Sequence, residues 1–379
     1  MPLYGHALPQ FPWDSLDPVR QRAAAHPDGL VDLSVGTPVD PTPRVVREAL
    51  VAAADAPGYP TTHGTLALRQ AVVDWFARRR GVPGLSPDAV LPTIGSKELV
   101  ALLPALLGLG EGDVVVHPQV AYPTYDVGAR LAGARPFPAD ATTAVGPGPV
   151  QLVWLNSPSN PTGRVLGVEH LAKVVAWARE RGAVVASDEC YAELGWAEPW
   201  ASEGVPSLLD ERVTGGSHEG LLVLYSASKQ SNLAGYRAAF AAGDPALVRR
   251  LLETRKHAGM IMPGPVQAAL TAAMADDEHV TAQRERYRAR RDVLLDACAA
   301  AGLLVAPESE AGLYLWLRAD RDDVDGWRLV EALADRGILV APGSFYGAGG
   351  VHHVRMALTA TDERVTAAAE RLRGGGPLL

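Results

Sequence analysis

Short apolar runs alternate with amphipathic stretches over most of the chain. The runs at 113–117, 151–156, 183–187, 221–226 and 237–242 are rich in Val, Leu and Ala, with little polar alternation. Strands buried on both faces carry this pattern, as in a largely parallel sheet covered by helices. The stretches between them, such as 167–181, place apolar residues at helical spacing. Together they predict an α/β layered domain.

The last third reads differently. Residues 276–301 predict one long charged helix in which Arg284, Arg286, Arg288, Arg290 and Arg291 form mostly a solvated face. Strands at 313–317, 338–341 and 353–358 follow, with a helix at 324–336 between the first two and a final helix from 361. This predicts a smaller α+β domain. The expected division is 1–45 as an N-terminal arm and part of the small domain, 46–275 as the large domain, and 276–379 as the small one. The Pro/Gly-rich stretches 141–149 and 204–220 read as surface loops.

Composition narrows the class. A chain of 379 residues can bury two cores, and its net charge of −8 argues against nucleic acid or an anionic membrane as partner. An anionic substrate must then be drawn in by local arginines. The two cysteines, Cys190 and Cys298, allow neither a disulfide framework nor a zinc-ligand spacing, and Cys190 reads as a small buried side chain. No metal site is expected. Residues 1–6 lack a basic segment followed by an apolar one, so no signal peptide is read there. The apolar stretch 100–109 is interrupted by Pro104 and is too short to span a bilayer. A soluble cytoplasmic protein is expected.

Candidate chemistry gathers at strand ends. Lys229 follows the strand 221–226 among Ser226 and Ser228, eight residues before Arg237. That setting suits an amine beside a bound phosphate, able to form a Schiff base. Asp188 ends another strand, with Tyr191 three residues on, and the pair fits a pyridine nitrogen and a phenolic oxygen of one ring. Asn160, in Asn160-Pro161-Thr162-Gly163, follows a third strand, although a turn alone explains that motif equally well. Ligands of open α/β sheets bind outside the carboxyl ends of strands, so the three groups converge on one crevice. Gly95-Ser96-Lys97 opens a helix and fits either a phosphate site at a helix N-terminus or a plain Ser cap. Arg355, on an apolar strand, fits a fork for a carboxylate or an internal ion pair. His352 and His353 face opposite ways and read as structural.

These residues resemble the class I/II aminotransferases of fold type I, which use pyridoxal 5′-phosphate. The likeness runs from Ser34-Val35-Gly36-Thr37-Pro38 to Arg355 and takes in Tyr59, Gly64, Tyr122 and the run 156–163. Within that family, the segments 33–43, 59–64 and 226–236 are most similar to N-succinyldiaminopimelate aminotransferases of lysine and diaminopimelate synthesis. The resemblance implies a large domain with a mainly parallel seven-stranded sheet and a smaller α+β domain. It implies that Lys229 attaches the cofactor aldehyde covalently, that Asp188 holds the ring nitrogen protonated, and that Tyr191 and Asn160 bind the ring hydroxyl. Tyr122 would stack on the ring. Gly95, Ser96, Lys97, Ser226, Ser228 and Arg237 would hold the phosphate, and Arg355, with Asn160 and the backbone of Gly36, the substrate α-carboxylate. Tyr59 would reach the phosphate across a homodimer interface. Glutamate, 2-oxo acids and other amino acids are the implied partners. Lys256 and His257 are candidates for a distal carboxylate, or helix-surface charges. A carbon–sulfur β-lyase and a non-catalytic ligand sensor on the same fold remain alternatives.

Overall fold

The computed structural model describes residues 8–379; residues 1–7, where the absence of a leader was read, lie outside the described part. A seven-stranded sheet runs in the order Val90–Thr93, Ala239–Gly243, Leu221–Ser226, Val184–Asp188, Leu152–Asn156, Val114–His117, Arg135–Pro138. Every pairing is parallel except the two made by Ala239–Gly243. The central strands are buried along their whole length, which is why their sequences show apolar runs without alternation. Side chains of opposite parity enter two cores. Val153, Leu155, Val185 and Val223 enter one, and Leu152, Trp154, Ala186 and Leu224 the other.

A separate four-stranded antiparallel sheet runs Ala341–Pro342, His353–Ala357, Tyr314–Ala319, Leu303–Val305. Its core holds Leu315, Leu317, Val354 and Met356, with the helices Glu278–Ala300, Gly326–Asp335 and Asp362–Gly374 packed on it. The chain begins on this side. The short strand Val31–Asp32 pairs in parallel with Ile338–Leu339, and the Leu33 carbonyl accepts from the Ala357 N–H at 2.8 Å. The segment carrying Gly36 is thereby laid along the strand carrying Arg355.

Two strands of the large sheet escape the sequence pattern, as do the short strands Val31–Asp32 and Leu303–Val305. Val90–Thr93 contains a proline on an edge, and Arg135–Pro138 carries two prolines and partly exposed residues on the other edge. Pro and polar residues are tolerated at edges because one ladder face needs no partner. The predicted strand from Arg237 begins instead at Ala239. Arg237 itself sits in the left-handed region, at φ 56, in the loop before it. Among the described residues no helix is long and apolar enough to cross a membrane.

Candidate active site

Asn156, Asp188 and Ser226 are the last residues of three neighbouring parallel strands, with Asn156 opposite Asp188 in the register. All three stand at the carboxyl end of the sheet. The loops beyond them, the N-terminus of helix Ser96–Leu106 and one face of the small sheet enclose a cleft of about 470 Å³. Lys229, Asp188, Tyr191, Asn160, Tyr122 and Ser96 line it, as do Lys97, Ser226, Ser228, Arg237, Gly36 and Arg355. Gly95 lies against its wall. Tyr59 does not line it and is fully exposed in the single chain. Lys256 pairs with Glu253 at 2.7 Å on a helix surface, and neither it nor His257 reaches the cleft, which corrects the distal-carboxylate expectation for both.

One end of the cleft is built for an anion. Ser226 caps the single helical turn Ala227–Gln230, accepting from the Ser228 amide at 3.2 Å, and its hydroxyl donates to that of Ser228 at 2.7 Å. Arg237 reaches across to Gly95, where any side chain would collide with the guanidinium. Gly95 adopts φ 99 to start helix Ser96–Leu106, whose N-terminus has no side-chain cap among the described residues and so offers its first N–H groups to an anion. The left-handed backbone of Arg237 is a conformation that side-chain-bearing residues adopt at a cost of about 1–2 kcal/mol.

The other end is built for a carboxylate. The Arg355 guanidinium is buried, donates to the Asn160 Oδ1 at 2.9 Å and the Ser34 carbonyl at 2.7 Å, and leaves its Nε without a partner. Tyr314 and Tyr346 cover it, their ring centroids 3.9 and 5.0 Å from its central carbon. Asn160 is fixed in turn by its N–H, which donates to Asn156 Oδ1 at 2.7 Å. Among the described residues no acidic side chain pairs with Arg355, so the internal ion pair that its sequence setting allowed is not formed there.

Between the ends lie Lys229 and Asp188. Lys229 donates to the Gly36 carbonyl, and among the described residues no carboxylate pairs with it. Burial, helped by the like charges of Arg355 and Arg237, holds its amine below the usual lysine range. Asp188 accepts from the Tyr125 hydroxyl at 3.0 Å and the Cys190 N–H at 3.2 Å. Burial pushes its carboxyl up, and those donors only partly offset it. Such a carboxylate lacks a cation, and a pyridinium N–H would supply one. Tyr122 meets Tyr125 edge-on at 6.0 Å, and burial pushes its hydroxyl up to about 12. Below the site, Glu189 is locked by Arg80 at 3.0 Å and by the Leu208 N–H at 2.7 Å, pinning the turn after Asp188.

The donor set fits pyridoxal 5′-phosphate. It offers an anion cup without a side chain at Gly95, an amine free of ion pairs, and a cation-starved carboxylate. Sequence reasoning missed Tyr125, Tyr314, Arg20 and the rings of Phe11 and Trp13, all but the first of which line the cleft. Tyr125 stands three residues after Tyr122, in the first turn of the helix Thr124–Leu131 that Tyr122 precedes. Cys190 is buried as expected, but it also lines the cleft and grips Asp188 through its N–H.

Comparisons with known proteins agree with this geometry. The family model described as aminotransferase class I and II matches residues 28–372. The 4-dedimethylamino-4-oxo-anhydrotetracycline transaminase of Streptomyces rimosus is 59% identical over 365 residues, covering 96% of this chain and 99% of its own. A probable aminotransferase of Mycobacterium tuberculosis is also 59% identical, covering 97% of this chain and 85% of its own. The solved structure of a probable N-succinyldiaminopimelate aminotransferase from Thermus thermophilus superposes with TM-score 0.84 at 30% identity, covering 96% of this chain and 99% of that one.

Proposed function

The chain belongs to the class I and II aminotransferases, pyridoxal-phosphate enzymes of fold type I, and we propose that it moves the amino group of glutamate to N-succinyl-2-amino-6-oxopimelate or a similar long 2-oxo acid. The observation that carries this reading is an unpaired Lys229 amine between two separate anion-binding ends of one cleft. A β-lyase shares most of these groups. A non-catalytic sensor has no need of an amine held below its usual range.

When bound, the cofactor supplies an aldehyde that exchanges amines and a ring that takes up the electrons released at the substrate α-carbon. Ser226, Ser228, Arg237 and the amides of Ser96 and Lys97 would hold its phosphate. Tyr122 would cover one ring face, and Asp188 would keep a proton on the ring nitrogen. Tyr191 and Asn160 would donate to the ring oxygen. Arg355 would take the α-carboxylate in its fork, so that the α-hydrogen faces Lys229. Lys229 would take that proton and deliver it to the far side of the bond system. Its lowered basicity leaves more of it unprotonated at neutral pH, and general-base action contributes about 10²–10⁴-fold.

A second cation remains for the distal end of the substrate. The Lys97 ammonium lies 5.4 Å from the Phe11 ring and 5.9 Å from the Tyr122 ring at the cleft mouth, with no carboxylate partner among the described residues. It suits the distal carboxylate of glutamate. The same aromatic mouth favours one other reading, a flat polycyclic ketone as acceptor, in keeping with the name of the Streptomyces rimosus relative. The exposed Tyr59 supports a homodimer in which each subunit would complete the other's phosphate cup.

The test is an amino-acceptor screen of the purified, cofactor-loaded protein with glutamate as donor. N-succinyl-2-amino-6-oxopimelate should be aminated at least tenfold faster, in kcat/KM, than a polycyclic 4-oxo-anhydrotetracycline. The reverse ranking selects the second reading. Pyruvate and ammonia from cystathionine, without transfer to 2-oxoglutarate, would replace both with the lyase.

A further inference from the structure

Three groups of the cleft meet on Tyr314, a buried residue of the small sheet. Its hydroxyl is 3.2 Å from that of Tyr191, and the two rings meet edge-on with centroids 5.7 Å apart. The guanidinium carbon of Arg355 lies 3.9 Å from its ring centroid. This contact follows from strand register. Trp316 is opposite Arg355 and Tyr314 is opposite Ala357, so Tyr314 is the diagonal neighbour of Arg355 on one sheet face. On its other side, any side chain at Gly36 would collide with the Tyr314 hydroxyl, and the Gly36 carbonyl is the acceptor for Lys229.

We propose that Tyr314 is a positioning residue for amino transfer, orienting Tyr191 through its hydroxyl and Arg355 through its ring face. The inference rests on the function proposed above and assigns it a residue. The two roles sit on different atoms. In the hydroxyl pair, burial works to raise the Tyr314 phenol, but the facing cations Arg355 and Lys229, together with the hydrogen bond to Tyr191, outweigh it and hold it below the tyrosine range. Tyr191 is pushed up by burial and by Tyr314 itself. Cys190, a titratable neighbour of both phenols, is held as a neutral thiol by burial; Asp188 adds to the rise of Tyr191, and the phenols of Tyr122 and Tyr346 beside Tyr314 are themselves raised by burial. Either hydroxyl can donate in this pair; with Tyr314 as the donor, the Tyr191 proton is free to point across the cleft. Polarised in this way, Tyr191 is the stronger donor to an ionised ring oxygen. The ring face supplies what the unpartnered Nε of Arg355 lacks, an electrostatic seat for a desolvated cation.

Tyr314→Phe keeps the ring and removes the hydroxyl; Tyr314→Leu removes both. Each variant is loaded with cofactor, and two quantities are read: the midpoint of the pH titration of the cofactor's visible absorption, and KM against kcat for glutamate. Tyr314→Phe should move the midpoint upward by about half to one pH unit, the worth of one hydrogen bond, because the ionised ring oxygen loses support. Its KM should stay near that of the parent. Tyr314→Leu should show the same upward shift and also raise KM by about tenfold, as Arg355 loses its seat. An unchanged midpoint in Tyr314→Phe overturns the proposal, as does a KM that rises equally in both variants. The Phe variant decides alone if the Leu variant does not fold. If the parent protein takes up no cofactor at all, the amino-transfer reading fails instead.

Discussion

The two walls of the cleft are built on different principles. On the large-sheet wall, each group is the end of a buried parallel strand and is held by directed hydrogen bonds. Asp188 takes Tyr125 and Cys190, and Asn156 bonds the Asp188 carbonyl at 2.9 Å and the Asn160 N–H at 2.7 Å. On the small-sheet wall, Arg355 is held by two hydrogen bonds among the described residues and by the faces of Tyr314 and Tyr346. Directed bonds fix an atom; an aromatic face fixes a plane and lets the group slide within it. The first wall suits a cofactor that stays, and the second a carboxylate that must enter and leave with each half-reaction.

The contrast is broken most severely at Asp188. Asp188→Ala leaves Tyr125 and the pyridine nitrogen without their acceptor, and kcat should fall by more than about 10²-fold, on the scale of losing one preorganised electrostatic partner. Asp188→Glu should retain far more rate, because a carboxylate survives. Equal rates, measured in steady state at saturating glutamate, would mean that this wall does not hold the ring. The Tyr314 pair probes the opposite wall with a smaller expected effect.

The smallest effect concerns the strap between the walls, which carries Gly36. Asp40 anchors it, accepting from Arg290 at 2.6 and 2.8 Å and from Gln283 at 2.7 Å. Burial works to raise the Asp40 carboxyl, but those donors outweigh it and hold it below its ordinary 3.8. A depressed carboxyl contributes stability that is present above its unfolded value and lost as the pH falls through its folded one. At pH 7 the Tm of Asp40→Asn should lie below that of the parent, and the gap should close as the pH falls below 3.8. A gap that persists in acid would show that Asp40 acts by shape and not by charge.

The large-sheet wall was legible in the sequence because its residues come in short contiguous motifs after apolar runs. Asn160, Asp188, Ser226 and Lys229 each follow one within a few positions. The small-sheet wall was legible only in part. Arg355 announced itself as a charge in an apolar strand. Tyr314 did not, because its role comes from antiparallel register, a long-range property that no local pattern carries. Tyr125 was hidden for another reason: a tyrosine in the first turns of a helix reads as ordinary core until its hydroxyl is seen on Asp188. The edge strands Val90–Thr93 and Arg135–Pro138 escaped because prolines in them suppress the strand signal. Arg237 was placed two residues too early in a strand because apolar residues follow it directly. Its left-handed backbone belongs to the loop that aims it at Gly95.

The account turns on a covalent bond between the cofactor aldehyde and Lys229. Borohydride reduction of the loaded protein, followed by peptide mapping, tests it directly. The prediction is a single reduced adduct on the peptide containing Lys229, lost in Lys229→Ala together with amino transfer. An adduct on another lysine, or full activity in Lys229→Ala, would contradict it.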